Sequence, residues 1–288
     1  MLDYRLLEAL SAVIETGGFE KAAQKLHITQ SAVSQRIRQL EHRLGQPVLL
    51  RRSPPVATAL GRRLNNHLQQ VKQLELGLLD EAQGEPLKVR VTVNADSMAT
   101  WLAQALAACP LSHQMDFDLV VEDQEVGLGR MRNGEVMACI CAEAQPVNGG
   151  AVSPLGVLRY RALASPAFVE HYQTRIDIAR LVDAPCLIFN CDDRLQHQFL
   201  EAQGLPPPAR QHRVPSSEGF VQMALQGLGY GMLPELQVEE YLANGGLVDV
   251  GPEFILDVPL HWHFWQTESA SLTALRHAVM NYACQVLR

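Results

Sequence analysis

Two short pairs of sulfur and nitrogen ligands are the first candidates for chemistry in this 288-residue sequence. Cys139 and Cys141 lie two positions apart in an apolar run, and His261 and His263 flank a tryptophan in an alternating pattern, so each pair shares one face of a predicted strand. Neither pair has a second pair of ligands at zinc spacing. We therefore expect structural residues in both places, with a metal site or a thiol redox site as the alternative.

The sequence lacks the patterns that position catalytic groups. It contains no nucleophile elbow, no zinc-protease helix motif and no phosphate-binding loop, and the glycine-rich run 227–231 lacks the spacing of a dinucleotide-binding turn. Serine, histidine, aspartate and cysteine residues that could build a triad are present without any such pattern. We expect no enzymatic activity, no cofactor and no metal.

Two polar segments precede predicted helices. Asn94-Ala95-Asp96-Ser97 follows a β-like run and precedes a helical stretch from Met98 to Ala108, and Ser216-Ser217-Glu218 precedes one from Phe220 to Gln226. In open parallel sheets, ligands bind beyond the carboxyl ends of strands, where helix N-termini offer unpaired N–H groups. Both segments can present hydroxyls and amides to the carboxylate of a small ligand.

Basic residues are concentrated near the N-terminus. The window from Lys21 to Lys72 holds ten lysines and arginines and one acid, Glu41, which gives a net charge of +9 in a chain of net charge −7. The remaining segments therefore carry −16. A basic module joined to an acidic remainder can hold a polyanion at one end without coating itself along it. This distribution predicts a nucleic-acid-binding module.

Three short helices are predicted in that module. Apolar residues at helical spacing predict a first helix ending at Gly17-Gly18, a second over Phe19 to Leu26 and a third over Gln30 to Leu44, with Thr29 as the N-cap of the third. An apolar stripe covers one side of the third helix, and hydrogen-bonding side chains on the other side suit base reading in the major groove. The residues expected to contact DNA are Thr29, Gln30, Ser31, Ser34, Gln35, Arg36, Arg38, Arg51 and Arg52.

A wing and a long helix are predicted next. Pro47 to Arg52 and Val56 to Thr58 read as two short strands around a proline-rich turn, with arginines that could reach phosphates. From Ala59 to about Gln83, apolar residues recur every three or four positions, which predicts a dimerisation helix. Its apolar stripe consists of Leu60, Leu64, Leu68, Val71, Leu74 and Leu78.

Beyond residue 86, short β-rich runs alternate with helical stretches, which predicts an α/β fold. The predicted strands are Leu87 to Val93, Phe117 to Val121, Val136 to Ala142 and Pro185 to Phe189.

Together these segments resemble LysR-type transcriptional regulators. The string Ala22-Ala23-x-x-Leu26, the run Thr29 to Ser34 and the later Ile37-x-x-Leu40-Glu41 look like the helix-turn-helix of that family, and the resemblance continues through Thr58-x-x-Gly61 to the run 227–234. Many relatives have Ser at the position of Gly18. Glycine is also a tolerable helix cap, so this difference does not change the prediction of a DNA-binding module. Four segments look like the ArgP or LysG branch of the family: Asp3-Tyr4-Arg5, Gly18-Phe19, Gln46-Pro47 and Val93 to Trp101.

The resemblance implies an all-α winged helix-turn-helix with a long linker helix, followed by an α/β, two-lobed effector domain similar to periplasmic binding proteins. It implies binding to promoter or operator DNA under the control of lysine or arginine, and regulation of basic amino acid export or metabolism. The cationic groups of such a ligand need carboxylates. The implied ligand contacts are Asn94, Asp96, Ser97, Thr100, Glu122, Asp123, Ser216, Ser217 and Glu218, with Asp192 and Asp193 as further acids.

Two alternatives stay open: a LysR-type regulator of another small metabolite, and an architectural or replication-origin DNA-binding protein that acts without a ligand. The resemblance also implies a homodimer that pairs into a homotetramer, with RNA polymerase as a further candidate partner. The charged start of the chain and the absence of any apolar stretch near twenty residues lead us to expect a cytoplasmic protein with reduced cysteines and no membrane contact.

The expected domains follow this order along the chain. The DNA-binding domain spans residues 1–58, the linker and dimerisation helix 59–84, and the effector domain 85–288. Within the effector domain we expect lobe I at about 87–159 and 266–288 and lobe II at about 160–265.

Overall fold

The structure of the chain, a computed structural model, describes residues 2–50, 52–83, 86–122, 124–174 and 177–288. It contains two compact units whose segments alternate along the chain. The first unit comprises Met1–Thr92, Pro110–Ser153 and Trp262–His277, and the second comprises Val93–Cys109, Pro154–His261 and Ala278–Arg288. The first unit combines the N-terminal segment with part of the α/β segment, so these units do not coincide with the expected domains. The expected boundaries of the domains and lobes therefore stay predictions.

The N-terminal part of the first unit is helical, with four helices: α1 (Tyr4–Thr16), α2 (Phe19–Lys25), α3 (Gln30–Leu44) and α4 (Ala59–Gln83). The predicted bounds of α3 and α4 are confirmed. The caps of α3 explain its limits: the hydroxyl of Thr29 accepts a hydrogen bond from the amide of Ala32 at 3.2 Å, and Gly45 adopts the left-handed conformation with φ 70°.

One apolar core holds these helices together. Leu7 and Leu10 of α1, Val33 and Leu40 of α3 and Leu68 of α4 are each at most 2% exposed. Burying an apolar side chain of this size contributes roughly 1.5–3 kcal/mol relative to exposing it. The polar face of α3 is therefore held in a fixed orientation by the core behind it.

Part of the apolar stripe of α4 packs inside its own chain rather than against a second copy. Leu64 and Leu68 are buried against the core of their own chain, so assigning them to a dimer contact is wrong. Leu60 packs against the same core and is partly buried. The side chains of Leu74 and Leu78 lie outside the described part of the structure.

The wing consists of two short antiparallel strands, β1 (Leu49–Leu50) and β2 (Val56–Ala57). Leu49 pairs with Ala57 and Leu50 pairs with Val56. Both strands are shorter than predicted, since prolines surround them and cannot donate to a ladder. Arg51 lies outside the described residues, whereas Arg52 is exposed.

Beyond residue 86, strands and helices alternate as predicted. The elements in chain order are β3 (Leu87–Val93), α5 (Ala95–Thr100), α6 (Leu102–Ala107), β4 (Met115–Val121), α7 (Gln124–Arg132), β5 (Ala138–Cys141), β6 (Gly150–Ala164), α8 (Pro166–Tyr172), β7 (Pro185–Ile188), α9 (Leu195–Ala202), β8 (Arg210–Arg213), α10 (Ser217–Leu225), β9 (Gly231–Pro234), α11 (Glu235–Ala243), β10 (Val248–Asp249), β11 (Ile255–Trp265) and α12 (Ala270–Val286). Short 3-10 helices occur at Ser112–Gln114 and Ile178–Val182.

Two predicted helices have different bounds in the structure. The single helix expected over Met98 to Ala108 is two helices, because the backbone leaves the helical region at Trp101 with φ −124° and ψ −20°. Helix α10 begins at Ser217, three residues earlier than predicted, since the hydroxyl of Ser216 caps it by accepting a hydrogen bond from the amide of Gly219 at 3.1 Å.

Each unit has its own strand arrangement. In the first unit the strands lie in the order β11, β5, β3, β4, and buried side chains of α7, β5 and β11 form a core. In the second unit β6 pairs antiparallel with β9 and β10, while β7 pairs parallel with β8. Helices α10 and α11 pack on that second arrangement through a core that includes Leu163, Phe220 and Val238.

Candidate functional site

The carboxylate of Asp96 is the centre of a polar cluster in the second unit. The hydroxyl of Tyr160 donates to Oδ2 of Asp96 at 2.6 Å, and the hydroxyl of Ser217 lies 2.7 Å from Oδ1. The Ser217 hydroxyl also lies 3.0 Å from Oε1 of Gln237. The four residues come from α5, β6, α10 and α11, so one hydrogen-bonded chain connects four elements of the fold.

Local structure places these groups. Asp96 lies in the first turn of α5, and Ser217 is the first residue of α10, where side chains lie beside free backbone N–H groups. Tyr160 lies on the long strand β6 and is 3% exposed. Helices α10 and α11 both contact α5, which brings Ser217 and Gln237 to the carboxylate.

The environment of Asp96 opposes its ionisation. Burial raises the pKa of the Asp96 carboxyl above its ordinary value, the hydrogen bonds from Tyr160 and Ser217 offset part of that rise, and the negative charge of Asp193 adds to it. Burial and the neighbouring Asp96 also raise the pKa of Tyr160 well above its ordinary value. No cation of the described residues is paired with Asp96. A carboxyl group in such a setting can accept a positively charged ligand.

Three other predicted ligand residues lie on the same short helix. Asn94 is the N-cap of α5, but its side chain makes no capping bond, and its Oδ1 is buried without a partner among the described residues. Ser97 is fully buried, and its hydroxyl is likewise unpartnered within the described chain. The hydroxyl of Thr100 donates to the backbone oxygen of Asp96 at 2.6 Å, so it is already used.

Of the second polar segment, Ser216-Ser217-Glu218, only one residue belongs to the polar cluster around Asp96. Ser217 belongs to it, whereas Ser216 caps its own helix and is exposed, and Glu218 is exposed. Asp193, one of the two further acids named from the sequence, influences Asp96 electrostatically. Its two carboxylate oxygens accept hydrogen bonds from the amides of Phe189 at 2.8 Å and Leu195 at 3.1 Å.

Glu122 already has a cation from its own chain. Nε and Nη2 of Arg130 donate to its Oε1 at 3.0 and 2.6 Å, and Nη1 of Arg130 donates to Glu135 at 3.0 Å. We therefore do not retain Glu122 as a carboxylate for a ligand. Asp123 lies outside the described residues.

Sequence reasoning missed Tyr160 and Gln237. Tyr160 stands 64 positions from Asp96 in a strand whose alternate residues Leu158 and Ala162 are also buried, so its pattern is that of an ordinary core residue. Gln237 follows a proline by three positions on a helix with no distinguishing pattern. Their hydroxyl and amide meet Asp96 and Ser217 through the tertiary fold, which local patterns do not encode.

A surface groove of about 540 Å³ lies on the N-terminal module, between the start of α2, the side of α3 and the wing. Four of the residues predicted to contact DNA line it: Gln30, Ser34, Arg38 and Arg52. Lys21 adds a further positive charge, while Glu20 and Glu41 are the acids of the lining. A concave surface with three basic and two acidic side chains, beside an exposed helix face, can accommodate the backbone of a nucleic acid.

The other predicted DNA contacts are distributed around this groove. Gln35 and Ser31 are exposed on α3, and Arg36 is half-buried. Thr29 caps the helix, and its hydroxyl also lies 2.9 Å from that of Ser31.

The cysteine pair and His263 lie in the interior, and His261 is half-buried. Cys139 and Cys141 are each 1% exposed and pack with Met131 and Trp265 in the core of the first unit. His263 is fully buried, and its Nε2 lies 2.7 Å from the backbone oxygen of Glu143. Within the described ranges, no three His, Cys, Asp or Glu side chains are grouped so that they could hold a metal ion. None of the described helices is both long and apolar enough to cross a membrane.

Comparison with known families identifies both parts of the chain. Residues 4–62 match the family described as bacterial regulatory helix-turn-helix protein, lysR family, and residues 82–285 match the LysR substrate binding domain. The chain belongs to the LysR family. Its fold is therefore that of a LysR-type DNA-binding transcriptional regulator, as the resemblance implied, and the members it matches are regulators rather than enzymes.

Individual LysR-family relatives are similar over the whole chain. The HTH-type transcriptional regulator ArgP of Pseudomonas aeruginosa is 50% identical over 282 residues, which cover 96% of this chain and 94% of the relative. The crystal structure of ArgP from Mycobacterium tuberculosis has 37% identity and a TM-score of 0.89, covering 100% of this chain and 99% of that one. Full-length LysG from Corynebacterium glutamicum with bound effector Arg has 32% identity and a TM-score of 0.85, with full coverage of both chains.

Proposed function

We propose that this LysR-family regulator binds arginine or lysine at the Asp96 cluster and that the bound amino acid controls its binding to operator DNA. The observation that carries the proposal is the Asp96 carboxyl itself, which is desolvated and held by two hydroxyl groups rather than by a cation of the described chain. A desolvated carboxylate gains most from a ligand that brings its own positive charge.

The groups around Asp96 suit the rest of an amino acid. The unpartnered oxygens of Asn94 and Ser97 offer hydrogen bonds near the start of α5, and the Ser97 hydroxyl can also donate one to a ligand carboxylate. The negative charge of Asp193 favours a ligand that has a second cationic group. The similarity to ArgP proteins and to a LysG structure with bound arginine supports the same ligand class.

For DNA we propose that α3 reads base edges and that the groove beside it holds the phosphate backbone. Gln35 and Ser31 are exposed hydrogen-bonding side chains on α3, and Arg38 and Arg52 line the groove. Phosphate contacts position a protein on DNA, whereas polar side chains in the major groove supply sequence preference. Arg51, outside the described residues, stays a proposed phosphate contact.

We also propose the assembly and partners that the family resemblance implies. The protein would act in the cytoplasm as a homodimer that pairs into a homotetramer, regulating genes of basic amino acid export or metabolism with RNA polymerase as a further partner. Since Leu64 and Leu68 are used inside their own chain, the contact between copies through α4 would depend on its later turns.

The first prediction concerns ligand binding and is tested by isothermal titration calorimetry of the full chain with arginine, lysine and citrulline, an analogue of arginine whose side chain is uncharged. We expect arginine or lysine to bind and Asp96→Asn to weaken that binding at least tenfold, because the amide cannot neutralise the cation. Asp257→Asn is the matched control, since Asp257 is an exposed acid of the same unit that pairs with Arg159 at 2.7 Å. Equal binding by wild type and Asp96→Asn would refute the assignment of Asp96.

A further inference from the structure

Glu41 is an acid on the surface proposed to bind DNA. It is the single acidic residue of the basic window from Lys21 to Lys72, and it lines the groove on the N-terminal module together with Arg38 and Arg52. A negative charge in that groove repels a phosphate group, so the charge of Glu41 by itself opposes DNA binding. The contacts of its carboxylate with the wing show what else it does.

The carboxylate of Glu41 fastens the start of the wing to α3. Its Oε1 accepts a hydrogen bond from the amide of Val48 at 3.0 Å and a longer one from the amide of Leu49 at 3.5 Å. Val48 is fully buried and Leu49 nearly so, which keeps bulk water from these amides. A buried amide without an acceptor is unfavourable, and Glu41 supplies the acceptor from the last turn of α3.

The backbone carbonyls of the same segment are held by the start of α4. The amide of Thr58 donates to the backbone oxygen of Val48 at 3.0 Å, and the hydroxyl of Thr58 donates to the backbone oxygen of Pro47 at 3.0 Å. Gly61 permits this close approach, since a Cβ there would lie 2.1 Å from the oxygen of Val48. The segment is therefore attached to α3 through its amides and to α4 through its carbonyls.

The position of Arg52 depends on these attachments. Strand β1 begins at Leu49, and the amide of Arg52 donates to the backbone oxygen of Leu50 at 2.9 Å, directly after that strand. A change in how β1 lies on α3 therefore moves Arg52 relative to the polar face of α3. Without the carboxylate of Glu41, β1 keeps its attachment to α4 but loses the one to α3.

We propose that Glu41 is a positioning residue for DNA binding: it holds the wing, and Arg52 with it, in a fixed place beside the base-reading face of α3. This effect outweighs the repulsion between its charge and the phosphates. The inference rests on the proposed function, since it uses the same DNA surface. If Glu41 acted on DNA through its charge alone, removing the carboxylate would strengthen binding, whereas a positioning role predicts the opposite sign.

The second prediction uses this difference in sign. The measurement is the fluorescence anisotropy of a labelled random-sequence duplex titrated with the full chain, since phosphate contacts do not depend on sequence. Glu41→Met keeps a side chain of similar length but removes the acceptor. We expect it to weaken binding by about the same factor as Arg52→Ala and to reduce the slope of log affinity against log salt concentration by about one.

Two further variants separate the charge of Glu41 from its hydrogen bonds. Glu41→Gln removes the charge but retains an oxygen that can accept from the amide of Val48, so it should bind DNA at least as tightly as the wild type. Glu20→Met is the matched control, because Glu20 is an exposed acid that lines the same groove, and it should strengthen binding. Unchanged or stronger binding by Glu41→Met, or equal weakening by Glu41→Met and Glu41→Gln, would overturn the inference.

Hydrogen exchange tests the attachment without DNA. In peptides that span residues 46–50, exchange should be faster in Glu41→Met than in the wild type and close to the wild-type rate in Glu41→Gln. Peptides from α1 should exchange equally in all three proteins, which shows that the module remains folded. Wild-type exchange over residues 46–50 in Glu41→Met would overturn the inference whatever the result with DNA.

Combining Glu41→Met with Arg52→Ala distinguishes this inference from the proposed function. If Glu41 acts by placing the wing, Arg52→Ala should weaken binding in the wild type and add little in Glu41→Met. Fully additive losses would overturn the inference. If Arg52→Ala has no effect in the wild type, but Glu41→Met weakens binding and Glu41→Gln does not, Arg52 is wrong as a phosphate contact and the positioning of the wing by Glu41 is supported.

Discussion

At the scale of single residues, three acids of this protein differ in the groups that hold their carboxylates. Asp257 and Glu122 are held by arginines of their own chain, and the bond from Arg159 holds the pKa of Asp257 below its ordinary value. Asp96 is held by the hydroxyls of Tyr160 and Ser217 and has a raised pKa. An acid that already has a cation has little to gain from a charged ligand, so the second kind is the one suited to sensing.

The third prediction belongs to this scale. Tyr160→Phe removes a 2.6 Å hydrogen bond to the Asp96 carboxyl while keeping the ring in its buried position. A hydrogen bond to a charged group contributes about 1.5–3 kcal/mol. Without it the ionised Asp96 carboxylate in the ligand complex is less stable, so the affinity for arginine should fall about tenfold or more. Titration calorimetry measures this loss.

Tyr172→Phe is the matched control for that change. It removes a hydroxyl of the same kind from α8 of the same unit, and the ring of Tyr172 packs at a tilt against the ring of Phe168, with 4.6 Å between the centroids. We expect wild-type affinity in the control. Equal affinity in the wild type and Tyr160→Phe would contradict a role for the tyrosine hydroxyl in ligand binding.

At the scale of elements, helices with local signals were predictable and others were not. The bounds of α3 follow from an apolar stripe, a threonine cap and a terminal glycine, all of which are written in consecutive residues. The break between α5 and α6 at Trp101 has no such signal, because tertiary packing buries that ring to 1% exposure. The position of Tyr160 beside Asp96 depends on how β6 meets α5, so sequence periodicity could not reveal it.

The fourth prediction concerns α3 and the wing. Gln35→Ala should reduce the preference for operator over random DNA, since a side chain that reads a base contributes about 1–3 kcal/mol of discrimination. Arg52→Ala should weaken binding to operator and random DNA equally. It should also reduce the slope of log affinity against log salt concentration by about one, as expected for the loss of one phosphate contact. Fluorescence anisotropy at several salt concentrations distinguishes the two effects.

Gln24→Ala is the control for this pair, because Gln24 is an exposed glutamine on α2 that does not line the groove. It should bind both DNAs like the wild type. If Gln35→Ala lost affinity for all DNA equally and Arg52→Ala lost preference, the two proposed roles would be reversed.

At the scale of the whole molecule, polar contacts within the first unit connect the α/β segment to the N-terminal module. Arg130 bridges Glu122 and Glu135, and Nδ2 of Asn133 donates to Glu135 at 3.1 Å. The backbone oxygen of Asn133 accepts a hydrogen bond from Asn65 of α4. The turn after α7 is therefore fastened to the linker helix by specific bonds rather than by apolar packing alone.

The connection continues into the helix-turn-helix. Gln69 of α4 donates to Ser11 of α1 at 2.9 Å, and Ser11 donates to Glu15 at 2.8 Å. Gly134 has φ 72°, and a Cβ there would lie 2.5 Å from Cγ of Gln69, so the turn and α4 fit closely. These contacts connect the turn after α7, through α4, to α1 of the N-terminal module.

The organisation at this scale was largely predictable from sequence. The basic N-terminal window, the polar face of α3 and the change to β-rich runs after residue 86 indicated a DNA-binding module joined to an α/β module. The packing of Leu64 and Leu68 against the core of their own chain was not predictable. A repeat of apolar residues predicts a buried helix face but not whether the residues that cover it belong to the same chain or to a second copy. Nor did the sequence show that Arg130 neutralises Glu122, since that pair depends on the geometry of α7.

The central claim is that an amino acid bound at Asp96 controls DNA binding, and the fifth prediction tests it directly. The measurement is the fluorescence anisotropy of a labelled fragment of the upstream region of the protein's own gene, titrated with the full chain with and without arginine or lysine. We predict that arginine or lysine shifts the wild-type and Asp257→Asn binding curves and leaves the Asp96→Asn curve unchanged. Wild-type curves that neither amino acid moves, or an Asp96→Asn curve that shifts like the wild type, would contradict the account.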